Sequence, residues 1–71
     1  MVHKYHKVHN NIAEYRYEND LTQEELAKLL LVARSTVAKW EAQEVQPEAA
    51  RWAHIARILK RQENEVFYLA P

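Results

Sequence analysis

Not one of the 71 residues is glycine. Average usage is roughly 7%, so a chain of this length normally holds several. Any turn that needs positive φ must here fall on a residue with a Cβ, at ~1–2 kcal/mol for each such position. Both common glycine-rich phosphate loops are excluded. Cysteine is absent too, which removes disulfides and thiolate zinc sites as stabilisers. Nothing therefore points to an oxidising compartment, and a cytoplasmic location is expected. A chain this short forms one domain at most and buries only ~60% of the surface its unfolded form exposes. Its apolar share of 48% suits a folded domain rather than a disordered one. No apolar run approaches the ~18 residues of a membrane span, and no signal-peptide core is visible.

Apolar spacings of three and four dominate, so the pattern predicts an all-α fold of five helices. Met1 to Val8 reads as a polar N-terminal arm, leaving residues 9–71 as a single domain. Val8, Ile12 and Tyr15 share a face of a first helix ending near Asn19-Asp20, a pair that tolerates left-handed geometry. Thr22 to Glu25 is a T-x-x-E capping box, flanked by Leu21 and Leu26 as a hydrophobic staple. It predicts a second helix over about 23–29. A third should span 34–42 with Val37 and Trp40 inward. Pro47 suits the first turn of a fourth, running to about Lys60 with Trp52, Ile55, Ala56 and Leu59 inward. A short fifth is expected over 63–68. Strand-like alternation is weak and confined to Val2–Val8 and Val66–Ala70.

The second and third helices lie either side of a four-residue connection, the spacing of a helix-turn-helix unit. In such a unit the second helix enters the major groove of DNA. Arg34, Ser35 and Lys39 supply long donors and a small hydroxyl on the face away from Val37 and Trp40. The run Leu21-Thr22-Gln23-Glu24-Glu25-Leu26-Ala27, with Arg34-Ser35-Thr36-Val37-Ala38-Lys39-Trp40-Glu41 and Pro47 at fixed distances after it, resembles the lambda-repressor/Cro-like helix-turn-helix family, also called the XRE family. The resemblance covers about Asn11 to Phe67.

It implies a sequence-specific DNA-binding transcriptional regulator, repressor- or Cro-like, on a near-palindromic operator. Arg34, Ser35 and Lys39 would face base edges, with guanine a natural partner for arginine. Gln23 and Thr36 would contact the DNA backbone. Arg16 and Glu41 would form a partly buried ion pair between the first and third helices. The chain also departs from the family pattern. Leu31, Asp20, Gln43 and Lys60 stand where glycine is usual. Ala33 replaces a serine or threonine that would cap the third helix and bind phosphate. The following loop is acidic at Glu44 where the family is often basic.

Lysine plus arginine and aspartate plus glutamate number 10 each, so there is no general cationic stickiness. The charges are segregated, however, and the segment from Arg34 to Trp40 carries only positive ones. The tail, with Phe67, Tyr68 and Leu69, is too apolar for a free end: it is buried in its own monomer or, the favoured reading, in a symmetric homodimer interface. His3, His6 and His9 would share a helical face, but no fourth ligand accompanies them, so no metal site and no cofactor is expected. No nucleophile–base set is visible, and an enzyme is not expected. The rival reading is a protein-interaction or antitoxin-like module on the same scaffold, with DNA binding weak or lost. Zero net charge, Ala33 and the acidic loop favour that rival.

Overall fold

The computed structural model describes residues 7–70. In chain order the elements are β1 (Lys7–Asn10), α1 (Ile12–Glu18), α2 (Gln23–Leu30), α3 (Arg34–Glu41), α4 (Ala49–Leu59), α5 (Glu63–Val66) and β2 (Phe67–Ala70). Five helices are present as the periodicity requires, and a two-stranded antiparallel sheet joins them. No helix among the described residues is long and apolar enough to cross a membrane.

The capping box sets the start of α2. The Glu25 amide donates to Thr22 Oγ1 at 3.0 Å, and the Thr22 amide donates to Glu25 Oε1 at 2.8 Å. Two of the helix's orphan donors are thereby satisfied reciprocally. At the other end α2 runs one residue further than its apolar pattern indicates, and α3 stops one residue sooner.

The missing glycines leave a direct mark on the backbone. Asp20, Leu31, Gln43 and Lys60 all have positive φ, between 56° and 63°. Each ends a helix in the same way. The amide of the left-handed residue reaches a carbonyl three residues back, and the next amide reaches one five residues back. The pairs are Asp20 to Tyr17 with Leu21 to Arg16, Leu31 to Lys28 with Val32 to Ala27, Gln43 to Trp40 with Glu44 to Lys39, and Lys60 to Arg57 with Arg61 to Ala56. This is the Schellman motif, which glycine usually completes. Here the hydrogen bonds are kept and the Cβ strain is accepted four times.

The core gathers Ile12 from α1, Leu26, Ala27 and Leu30 from α2, Val37 and Trp40 from α3, Ile55, Ala56 and Leu59 from α4, Val66 from α5 and Phe67 from β2. Trp52 packs at its edge, stacked on Phe67 with ring centroids 4.6 Å apart and planes 9° apart. Its indole N–H donates to the Pro47 carbonyl at 2.9 Å.

Three local expectations need correction. Val8 lies in β1 rather than on α1, which starts only at Ile12. The expected arm thus gives way to a strand at Lys7 and Val8, and Met1 to His6 lie outside the described residues. Pro47 is buried but precedes α4, whose cap is Glu48. The fifth helix stops at Val66, where the chain turns extended. The reason is pairing: Asn10 lies opposite Phe67, His9 opposite Tyr68, Val8 opposite Leu69 and Lys7 opposite Ala70. The weak alternation at Val66–Ala70 marks β2, whereas that at Val2–Val8 overlaps β1 only at Lys7 and Val8, and each strand is stabilised by the other.

Candidate nucleic-acid interface

Two eight-residue helices, α2 and α3, are joined by Leu31 to Ala33 and pack closely on each other. Val37 is fully buried and Trp40 nearly so. Those two anchors fix the rotation of α3 about its axis. Arg34, Ser35 and Lys39 are consequently exposed together on its outer side. Thr36 is half-buried and lies in the crease between α3 and the start of α4, with Val32, Pro47 and Arg51. It sits apart from the first three.

A chain of polar contacts runs beneath this face. Arg16 grips Glu41 with two bonds, Nε to Oε2 at 2.6 Å and Nη2 to Oε1 at 3.0 Å. Its third donor, Nη1, reaches the Leu21 carbonyl at 2.8 Å. The side chains are 6% and 8% exposed, so the expected ion pair is present and largely out of water. Glu41 raises the proton affinity of the Arg16 guanidinium above its ordinary value, burial opposes this, and the adjoining Tyr17 adds to the rise. Gln23 continues the chain. Its Nε2 donates to Glu41 Oε1 at 2.9 Å, and its Oε1 accepts from Arg34 Nη1 at 3.2 Å. Gln23 therefore orients Arg34 as well as standing at the start of α2. Arg16 and Arg34 line one open groove at that helix start, together with the acidic Asp20 and Glu24. The helix dipole there favours negative charge, which Glu24 and Glu25 of the first turn already supply.

Other sequence-derived candidates are dispersed. Ala33 occupies the cap position of α3 and makes no side-chain bond there. Phe67 lies in the core of its own chain, whereas Tyr68 and Leu69 are 41% and 64% exposed. His9 is in a strand, its ring edge-on to Tyr68 at 5.9 Å. It does not lie on the helical face that a histidine cluster requires, and His3 and His6 lie outside the described residues. No cluster of three metal-ligating side chains occurs among the described residues.

One group escaped the sequence reading. Asn10 is 4% exposed, and its Nδ2 donates to the Trp40 carbonyl at 2.8 Å and to Gln46 Oε1 at 2.8 Å. Its partners stand thirty or more positions away, so no local pattern announces them. The only nearby signal is an asparagine two residues before a helix, and its Oδ1 indeed accepts the Ile12 amide at 3.0 Å.

Two short helices crossed by a tight turn, with the second presenting donors outward, define a helix-turn-helix domain. The helix-turn-helix family profile matches residues 12–66, most of the chain, and the protein belongs to this XRE-type family. Among solved structures the fold is similar to that of a "putative DNA-binding protein" from Bacteroides fragilis, with a TM-score of 0.80. The two are 20% identical over 86% of this chain and 98% of that one. No curated protein matches the chain in sequence.

Proposed function

We propose that the protein is a cytoplasmic, sequence-specific transcriptional regulator of the repressor or Cro type, acting as a homodimer on a near-palindromic operator. Arg34, Ser35 and Lys39 read base edges in the major groove, and Gln23 and Thr36 meet the DNA backbone. The observation that carries this reading is the shared exposure of Arg34, Ser35 and Lys39 on one side of α3, opposite buried Val37 and Trp40. A second support is the Gln23–Arg34 bond, which orders the longest base-reading side chain before DNA arrives.

The dimer rests on the edge of β2. The Asn10 amide goes to Gln43 and the Phe67 amide to Glu63, so these two opposed residues form a non-hydrogen-bonded pair. Antiparallel alternation then turns the backbone groups of Leu69 to the outer edge. Among the described residues no strand covers that edge, and a second copy would pair there, with Tyr68 and Leu69 beside it.

Selection from a randomised pool of DNA duplexes across a salt series tests the whole reading. Enrichment of a near-palindrome with half-sites one helical turn apart is expected. No enrichment at low salt by folded protein would reject it in favour of a protein-interaction or antitoxin-like module.

A further inference from the structure

At the end of the recognition helix a side-chain amide takes the place of a neighbouring strand. Gln43 Oε1 accepts the Asn10 amide at 3.0 Å, and Gln43 Nε2 donates to the Asn10 carbonyl at 3.0 Å. These are the two outward backbone groups of β1 at that residue. Gln46 Nε2 adds a bond to Gln43 Oε1 at 3.0 Å. The Asn10 side chain then ties the cluster to the last turn of α3 through Trp40 and to the first turn of α1 through Ile12. No buried side-chain polar atom among the described residues lacks a partner.

Gln43 reaches Asn10 from a left-handed backbone position, φ 63°. Strain of this kind persists where the surroundings over-determine it and clusters at functional positions. Glycine would relieve the strain but would carry no amide. Asparagine tolerates left-handed geometry but is one methylene too short to make the same bridge. The same left-handed geometry closes three other helices, so what sets Gln43 apart is its side chain, which among the described residues bonds to β1, the Glu41 carbonyl and Gln46.

We propose that Asn10, Gln43 and Gln46 form a latch that positions the recognition helix against the two-stranded sheet. This rests on the DNA-binding reading above. The latch holds the carbonyl of Trp40, the residue next to Lys39, from outside the helix-turn-helix unit. Base-reading side chains must be held to within about 0.5 Å; the buried Trp40 ring and the Arg16–Glu41 pair hold the far end of α3 on the core and on α1, and the latch adds a hold from the sheet.

Gln43→Gly separates positioning from folding, because it removes the Gln43 bridge to the β1 backbone while relieving the helix end, and leaves the Asn10 bonds to Trp40 and Gln46 in place. Gln43→Asn keeps an amide but shortens its reach. In both variants the Tm should stay within about 5 °C of the parent. Exchange of the Asn10 amide proton should accelerate. Specific operator affinity should fall about tenfold, the scale of one deleted hydrogen bond. Non-specific affinity, which follows charge alone, should be unchanged. Operator affinity equal to the parent's with the Asn10 amide exchanging freely would overturn the proposal. So would failure of both variants to fold, since the cluster would then hold the fold rather than aim the helix. If the parent protein selects no DNA, the functional reading fails and the latch is judged by residual dipolar couplings. An orientation of α3 relative to β1 unchanged in Gln43→Gly would overturn it, and a changed one would support it.

Discussion

Arg16 is a heavily committed side chain, with a carboxylate, a carbonyl and the Tyr17 ring around one guanidinium. Its proton affinity is higher folded than unfolded, chiefly because of Glu41. That contribution is therefore complete below the ordinary arginine value and is lost only as pH rises beyond it, in strong base. Removing Glu41 should be costly at any physiological pH. Glu41→Ala should destabilise by roughly 3–5 kcal/mol, because it leaves a buried charge unpaired, and denaturant unfolding reads this directly. Leu31→Gly should act in the other direction. Leu31 is 90% exposed at φ 60°, so its Cβ strain is matched by no packing. A gain of about 1–2 kcal/mol is expected, seen as a raised denaturation midpoint. Arg34→Ala should weaken operator binding by ~1–3 kcal/mol and relax preference at one base pair per half-site. Unchanged selectivity would remove Arg34 from the base-reading set. Arg16, Glu41 and the positions of the four left-handed residues are legible in the sequence because the family resemblance implies where they stand. The bonds of Asn10 and of the Gln43 side chain are not, since a polar residue beside a helix start or end looks like any other cap until its distant partner is known.

The two motif helices begin in contrasting ways. α2 has a complete capping box, and α3 begins at Ala33 with no side-chain cap. Thr22→Ala should cost about 1 kcal/mol, whereas Ala33→Ser should add a comparable amount. The serine would also supply a hydroxyl at the groove wall, so its operator affinity should rise if the proposed docking is right. A thermal melt and a titration with the selected duplex check both halves. Helices announce themselves through such local grammar, and four of the five stand within a few residues of their expected positions. The sheet could not be read in the same way. Its strands have four residues each, and what makes them strands is the partner brought alongside by the intervening helices. The same pairing draws Phe67 inward against Trp52, leaving only Tyr68 and Leu69 of the expected interface exposed.

With zero net charge, the proposed operator binding would depend on few cations and on the doubling of them in the proposed dimer. The logarithm of affinity should fall with the logarithm of salt at a slope of about −0.9 for each phosphate neutralised. A shallow slope is expected for one subunit and about twice that for two. Leu69→Glu at the open edge of β2 should convert the operator-bound dimer to monomers. Analytical ultracentrifugation would report the change in mass, and a concentration-independent Tm should accompany it.

The sheet also determines how the native state comes apart. Its register joins Lys7 to Ala70, the two extremes of the described chain, so forming it means closing the longest loop among the described residues. Closure entropy opposes such pairing before the contacts themselves stabilise anything. The α2–α3 pair, whose contacts are near in sequence, should assemble first and the sheet should zip last. Substitutions in β1 and β2 should then leave the refolding rate nearly untouched and act on the unfolding rate. Trp52, stacked on Phe67, is the built-in fluorophore at that seam. The grip of this small domain on its own shape is therefore expected to be a matter of lifetime, governed by the last and most distant pair of segments to meet.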